Sequence, residues 1–167
     1  MSDSNHNYFH TIYILVGSNI QPEKNIYQAL ELLHDRMKIL KVSQIWETMA
    51  VGSTGPNFLN CAVLINSDQD EETIKVEILS KIEDQLGRIR TEDKNAPRTI
   101  DIDPVISDGI ILDKRVFDEP FLALPLNDLL PDLIDPSTGI TLGDKVGLIR
   151  DHSFYRNRSD VELPPLM

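Results

Sequence analysis

Two carboxylates follow directly on a basic loop. The stretch from Gly87 to Asp103 carries Arg88, Arg90, Lys94 and Arg98, then Asp101 and Asp103 in the run Ile-Asp-Ile-Asp. Guanidinium forks pair with phosphate oxygens two at a time, and lysine meets them as a point charge. The alternation of Ile and Asp reads as a strand, so both acids project side by side from one face. Such neighbours repel unless a cation lies between them. Magnesium suits that place, because it takes one or two carboxylates and fills its remaining positions with water and substrate phosphates. The bland alternative is a solvated acidic strand beside a basic loop. The chain has a net charge of -11 and therefore repels nucleotides over most of its surface. A local basic loop facing two acids is what a magnesium–nucleotide site requires.

The elements that must position these groups alternate simply. A β-branched, apolar stretch over 11–17 reads as a central strand ended by Gly17-Ser18-Asn19, a turn that lacks the Gly-Lys-Ser/Thr of a P-loop. Pro22 opens a helix whose Ile26, Leu30, Leu33 and Met37 share one face. A second strand is expected over 39–48 and a third over 57–65, separated by the Gly/Pro-rich loop 49–56. The second helix spans 68–87, with Ile74, Ile78, Ile82 and Leu86 inward and Gly87 as its stop. A last strand covers 99–112 with a turn at 107–109, and Pro104 demands an edge or a bulge there. The order strand–helix–strand–strand–helix–strand fits a ferredoxin-like βαββαβ sheet.

Composition narrows the function. A chain of 167 residues that is 41% hydrophobic and 26% charged is one ordinary globular domain. Its pI near 4.7 argues against nucleic-acid and anionic-membrane partners. Cys61 is the single cysteine, so no intramolecular disulfide forms, and its apolar strand setting makes it an inert core thiol. The start has neither a basic segment nor an apolar signal core, so a cytoplasmic protein is expected. His6, His10, His34 and His152 have no ligand-like spacing and take surface or capping roles.

On the third strand Phe58 and Asn60 lie two apart and share a face. An aromatic beside a carboxamide suits a flat heterocycle that needs stacking plus donor–acceptor pairing; the alternative is a core Phe and a strand-edge Asn. Arg88, Arg90, Pro97-Arg98-Thr99 and Asp101-x-Asp103 together resemble the signature of the 6-hydroxymethyl-7,8-dihydropterin pyrophosphokinase family. Gly17-Ser18-Asn19, Glu47-Thr48 with Gly52, Phe58-Leu59-Asn60 and the segment from Phe121 to Leu133 resemble its other blocks. The resemblance covers roughly 11–136. It implies an α+β antiparallel sheet with helices on both faces in three layers, and magnesium-dependent transfer of pyrophosphate from ATP to the hydroxymethyl group of the dihydropterin, releasing AMP, in folate biosynthesis. It also implies that Thr48, Met49, Val51, Phe58, Asn60 and Phe121 contact the pterin and that Arg88, Arg90 and Arg98 bind ATP. Asp101 and Asp103 would hold two magnesium ions, with Arg88 and Arg98 neutralising phosphate charge. Glu83 matches an acidic residue of the family and is read as structural.

The departures cluster on the ATP side. The connection from Asp113 to Phe121 is shortened, lacks a Pro-His pair, and places Glu119 where the family has an arginine; Asn95 replaces a common aromatic. A Glu there would repel a triphosphate, so Arg115, Arg150, Arg156 and Arg158 are the candidate substitutes. The alternative function is a catalytically impaired pterin- or nucleotide-binding homologue serving as a regulatory or partner module. A related kinase with an altered nucleotide or acceptor is a third. The organisation expected is a polar leader over 1–10, the pyrophosphokinase-like domain over 11–143, and a tail over 144–167 of unknown role ending loosely at Pro164-Pro165. The partners expected are ATP and the dihydropterin, with a monomer favoured over a dimer.

Overall fold

The computed structural model describes residues 8–149 and 154–166. Strand β1 (His10–Ser18) is followed by α1 (Pro22–Arg36), β2 (Lys38–Val42), β3 (Trp46–Thr48) and β4 (Phe58–Ser67). Then come α2 (Glu71–Ile74), a π-helical stretch (Lys75–Leu79) and α3 (Ser80–Gln85), which run on as one helical segment, and β5 (Asp101–Ser107) with β6 (Ile110–Ile111). A 3-10 turn (Lys114–Phe117), α4 (Pro120–Leu129), α5 (Leu142–Ile149) and β7 (Tyr155–Asn157) complete the described chain.

The sheet runs β6-β5-β1-β4-β3-β7, with β2 also on β4, and every pairing is antiparallel. β1 is central, as its apolar run requires. Its alternation divides the interior in two. Ile12, Ile14 and Val16 pack with Ile26, Leu30 and Leu33 of α1 and with Ile74, Leu79 and Ile82. Tyr13 and Leu15 face the other way, toward Leu122 and Leu126 of α4 and Leu142 and Val146 of α5. The result is the three-layer α+β architecture expected. Each of these fully buried aliphatic side chains contributes roughly 1.5–3 kcal/mol of burial, and truncating Ile14 at the sheet centre would cost about 2–5 kcal/mol.

Four details differ from the sequence expectations. The strand expected over 39–48 is two strands, because the Ser43 hydroxyl intrudes on the ladder: its Oγ accepts from the Ala62 N–H at 2.8 Å and donates to the Gln44 carbonyl at 2.7 Å. The second helix starts at Glu71 rather than at 68, since Asp70 caps it by accepting from the Thr73 N–H at 2.8 Å. Its strict four-residue apolar spacing is accommodated by the π-helical stretch, which inserts a residue into the 3.6-residue period. The last strand starts at Asp101 rather than 99 and turns through Asp108 and Gly109, both at positive φ. The end of the chain is not loose: Pro164 is buried, Val161 and Leu163 pack on the first core, and β7 extends the sheet through β3.

Pro104 is tolerated for both reasons anticipated. The register slips opposite it, with Ile14 facing Pro104 and Tyr13 facing Ile106. The outer neighbour β6 reaches only Ile106 and Ser107, so no ladder donor is demanded of the proline.

Candidate active site

Because β1 runs antiparallel to both neighbours, its C-terminal end meets the beginnings of β4 and β5. Gly17 pairs with Asn60 on one side and Asp101 on the other, and Asn60 pairs onward with Trp46. One row of the sheet therefore reads Asp101, Gly17, Asn60, Trp46, and the glycine leaves a hole in it. Asn60 is 2% exposed. Its Nδ2 donates to Thr48 Oγ1 at 3.0 Å and to the Trp46 carbonyl at 3.3 Å, which leaves Oδ1 as the acceptor over Gly17.

A cavity of about 170 Å³ opens above this row, lined by Thr48, Met49, Val51, Phe58, Asn60 and Phe121 together with Asp101, Asp103, Lys94, Asn95, Arg98, Arg115, Leu15 and Gly17. All six residues assigned to the heterocycle thus share one wall system with both acids. The guanidinium of Arg98 lies 5.9 Å from the Phe58 ring centre and that of Arg115 lies 5.4 Å from the Phe121 ring centre, cation–π geometry that steadies both rings. A second cleft of about 390 Å³ adjoins, lined by Lys75, Arg88, Arg90, Thr91, Lys94, Arg98 and again Asp101 and Asp103. The acids and Arg98 stand at the seam. Arg88 and Arg90 belong to the cleft alone.

The cation that the paired acids require is supplied here by the protein. Arg88 Nη1 reaches Asp101 Oδ1 at 3.1 Å, and Arg98 Nη1 reaches Asp101 Oδ2 at 3.1 Å. Lys75 Nζ pairs with Asp103 and donates to the Ile102 carbonyl at 3.0 Å. Behind them Glu83, with no exposed surface, lies 3.0 Å from Arg88, 3.5 Å from Arg90 and 3.7 Å from Lys75. Burial pushes the Glu83 carboxyl up to about 7, against the pull of Lys75 and Arg88 and with the push of Asp101 and Asp103. Burial also acts to raise Asp101, but its hydrogen bond with Asp103 and the Arg88 and Arg98 charges hold it below the usual carboxylate range. Asp103 is raised by burial and by the Asp101 charge, with Lys75 opposing. Added positive charge at Asp103 is therefore favoured. Its side chain is 45% exposed, and among the described residues no cluster of three metal-binding side chains forms. That donor set fits magnesium, which needs only two carboxylates when phosphates complete its shell.

The sequence setting does not single out Lys75, and it offers Asn19 only as part of the Gly17-Ser18-Asn19 turn. Lys75, Leu79 and Glu83 recur at four-residue spacing beside the apolar face, which is the signal that would have placed Lys75 next to Glu83. Asn19 clamps the basic loop: its Oδ1 accepts from the Arg98 N–H at 2.8 Å and its Nδ2 donates to the Pro56 carbonyl at 3.2 Å. Of the arginines proposed to replace the missing one, Arg115 is the only one among the described residues to line the cavity. Arg156 pairs with Glu47 of β3 at 3.0 Å, and Arg158 pairs with Glu23 of α1 and with Asp160, each at 2.9 Å, so both are engaged outside the cavity. Arg150, His6 and His152 lie outside the described residues. Glu119 lines an adjoining recess with Phe154, which shares Thr48, Met49, Val51 and Phe121 with the cavity.

Fold and site together define an α+β domain that sets a small aromatic-and-amide cavity against a basic cleft, with two acids at the seam. The model of the 7,8-dihydro-6-hydroxymethylpterin-pyrophosphokinase (HPPK) family matches residues 13–131, and the chain belongs to that family. It is 31% identical over 166 residues to a folic acid synthesis protein fol1 of Pneumocystis carinii, covering 89% of this chain and 22% of the relative. It is 28% identical over 136 residues to a 2-amino-4-hydroxy-6-hydroxymethyldihydropteridine pyrophosphokinase of Aquifex aeolicus, covering 75% of this chain and 84% of the relative. The chain spans only 19% to 27% of the length of several eukaryotic relatives it matches. Its fold is that of a crystal structure of Plasmodium falciparum HPPK-DHPS with pterin and p-hydroxybenzoate, at a TM-score of 0.65 and 15% identity over 87% of this chain and 42% of that one.

Proposed function

We propose that this chain transfers the terminal pyrophosphoryl group of ATP to the hydroxymethyl oxygen of 6-hydroxymethyl-7,8-dihydropterin, in folate biosynthesis. The observation that carries this is the seam: a cavity suited to a flat heterocycle and a cleft suited to polyphosphate share Asp101, Asp103, Lys94 and Arg98. In the reaction the alcohol oxygen bonds to the β-phosphorus, the bond from that phosphorus to the α-phosphoryl oxygen breaks, AMP leaves and the alcohol proton is lost to water. Asn60 Oδ1 accepts from the heterocycle's N–H edge, with Thr48 fixing the carboxamide by accepting from its Nδ2. Phe58 and Phe121 hold the ring faces, and Met49 and Val51 exclude water. Arg88, Arg90, Lys94 and Arg98 neutralise the phosphates, so that alcohol and β-phosphorus meet in a near-attack arrangement. Asp101 and Asp103 would hold two magnesium ions, which when bound draw off charge building on the phosphoryl oxygens.

The reading as a non-catalytic binding module rests on Glu119 together with the missing Pro-His pair. That carboxylate lines a recess that borders the cavity at Thr48, Met49, Val51 and Phe121 but lines neither the cavity nor the cleft itself, and its charge is felt by Arg115 on the cavity wall. The enzyme is proposed to work as a cytoplasmic monomer on small molecules; among the described residues no helix is long and apolar enough to cross a membrane. The test is AMP release from magnesium and ATP, with and without the dihydropterin, for the wild type and the Asp101→Ala/Asp103→Ala double variant. Pterin-dependent AMP that disappears in the double variant supports catalysis. Pterin binding without AMP makes the chain a binding module.

A further inference from the structure

The π-helical stretch turns Lys75 toward β5, where its ammonium fills the place at Asp103 that a divalent cation would need. Its Nζ pairs with Asp103 Oδ1, donates to the Ile102 carbonyl at 3.0 Å, and stands 3.7 Å from Glu83 Oε1. That Glu83 oxygen is buried and has no hydrogen-bond donor among the described residues. A completely buried carboxylate with one oxygen unserved is costly unless a donor reaches it. The nearest ammonium is Lys75, held at Asp103 instead. Lys75 also lines the basic cleft, and its flexible four-carbon stem carries three donors.

We propose that Lys75 is a displaceable resident cation: it guards Asp103 in the free protein, yields that carboxylate to the incoming metal, and turns to Glu83 and to the nucleotide phosphates. Lys75 holds Oδ1 of Asp103, and a divalent cation brought onto that carboxylate repels the ammonium at contact distance, so metal entry and Lys75 compete for Asp103. The expelled ammonium has two acceptors at hand. One is the unserved Glu83 Oε1 and the other is any phosphate in the cleft it already lines. Lys75 thereby contributes to nucleotide binding the positive charge that Glu119 does not. It also keeps the two acids from binding metal before nucleotide arrives.

This role rests on the magnesium–nucleotide function proposed above, and two ligands measured separately test it. Manganese alone, followed by the loss of its free-ion paramagnetic resonance signal, reports the guarded acids. α,β-Methylene-ATP with magnesium, followed by calorimetry, reports the cleft. Lys75→Met is expected to bind manganese about tenfold more tightly and the nucleotide about tenfold more weakly, each the equivalent of roughly 1.4 kcal/mol. Lys81→Met, which removes the same charge from an exposed ion pair with Glu77, is the control. A Lys75→Met effect on either ligand no larger than that of Lys81→Met overturns the proposal, as do affinities that fall together. Lys75→Gln, which keeps a donor for the Ile102 carbonyl, repeats the measurement if Lys75→Met melts early. Wild-type AMP production with no Lys75 effect sinks this inference alone. Opposed Lys75 shifts without wild-type AMP sink the catalytic reading and leave this one standing.

Discussion

Gly17 on β1 and Asn60 on β4 face each other across the sheet, and a Cβ added at Gly17 would stand 3.1 Å from Asn60 Oδ1. Gly17 is not among the residues at positive φ, so the glycine is there for close approach rather than for backbone freedom. The methyl of Gly17→Ala would push the carboxamide off its bonds to Thr48 and Trp46 and narrow the cavity floor. Pterin affinity is expected to fall about tenfold, the worth of one well-made hydrogen bond, and stability by about 1–3 kcal/mol as the buried carboxamide loses its partners. Calorimetric titration of the pterin checks this, and unchanged affinity would remove Asn60 from the recognition role.

Glu83 makes stability depend on pH in a window set by its own shift. Its carboxyl is raised from 4.5 to about 7 by burial, so the folded protein keeps a proton that the unfolded chain releases. Below the unfolded value both states are protonated and nothing is lost. Between roughly pH 4.5 and 7 the unfolded state binds fewer protons, and stability falls as pH rises, by on the order of 3 kcal/mol in all. Asp103, also raised, adds to the decline, whereas Asp101, lowered, acts at lower pH with the opposite sign. Urea unfolding from pH 4.5 to 8 should show a shallower decline for Glu83→Gln than for the wild type. Parallel curves would mean that Glu83 is ionised throughout.

Much of this site could be read from residue spacing because sheets keep period two. Asp101 with Asp103, and Phe58 with Asn60, each fall on one face in any strand, and antiparallel pairing then brings both faces to the same cavity. What escaped was set by groups that override local pattern. Ser43 breaks one expected strand into two with a hydroxyl that no propensity scale distinguishes from a surface serine. On a helix of ordinary period nothing sets Lys75 apart, and the π-helical stretch aims it at Asp103. β7 is three residues of Tyr-Arg-Asn; its strand character comes from β3 and from the Arg156–Glu47 pair, not from its own propensity. The basic loop reads from its charges as facing phosphate, yet Arg88 and Arg98 first of all hold Asp101.

Cys61 offers a direct check on the packing beneath the site. It has no exposed surface, and burial pushes its thiol up to about 12, so the thiolate needed for attack is nearly absent at neutral pH. Ellman's reagent should leave the native protein unlabelled over minutes and titrate one thiol at once in guanidinium chloride. Rapid native labelling would mean that β4 opens locally far more often than a central strand should.

The shortened connection after Asp113 raises the question of which arginine stands in for the one replaced at Glu119. Arg115 lines the cavity beside Phe121. It is oriented by Asp113, whose carboxylate lies 2.8 Å from its Nη2, and its acidity is weakened first by that hydrogen bond. Arg156 and Arg158 carry the same charge but are committed elsewhere, Arg156 to Glu47 of β3 and Arg158 to Glu23 of α1 and to Asp160 beyond β7. If Arg115 meets the transferring group, Arg115→Ala should lower kcat for AMP formation by about 10²-fold, the scale seen on removing one preorganised transition-state partner. Arg156→Ala and Arg158→Ala should change it by less than about threefold and act instead on stability, by ~0.5–1 kcal/mol for such partly exposed pairs. Steady-state kinetics and thermal melts on the three variants separate charge placed at the chemistry from charge placed at the sheet edge. Equal kinetic losses in all three would show that net positive charge, not the position of Arg115, is what the reaction needs.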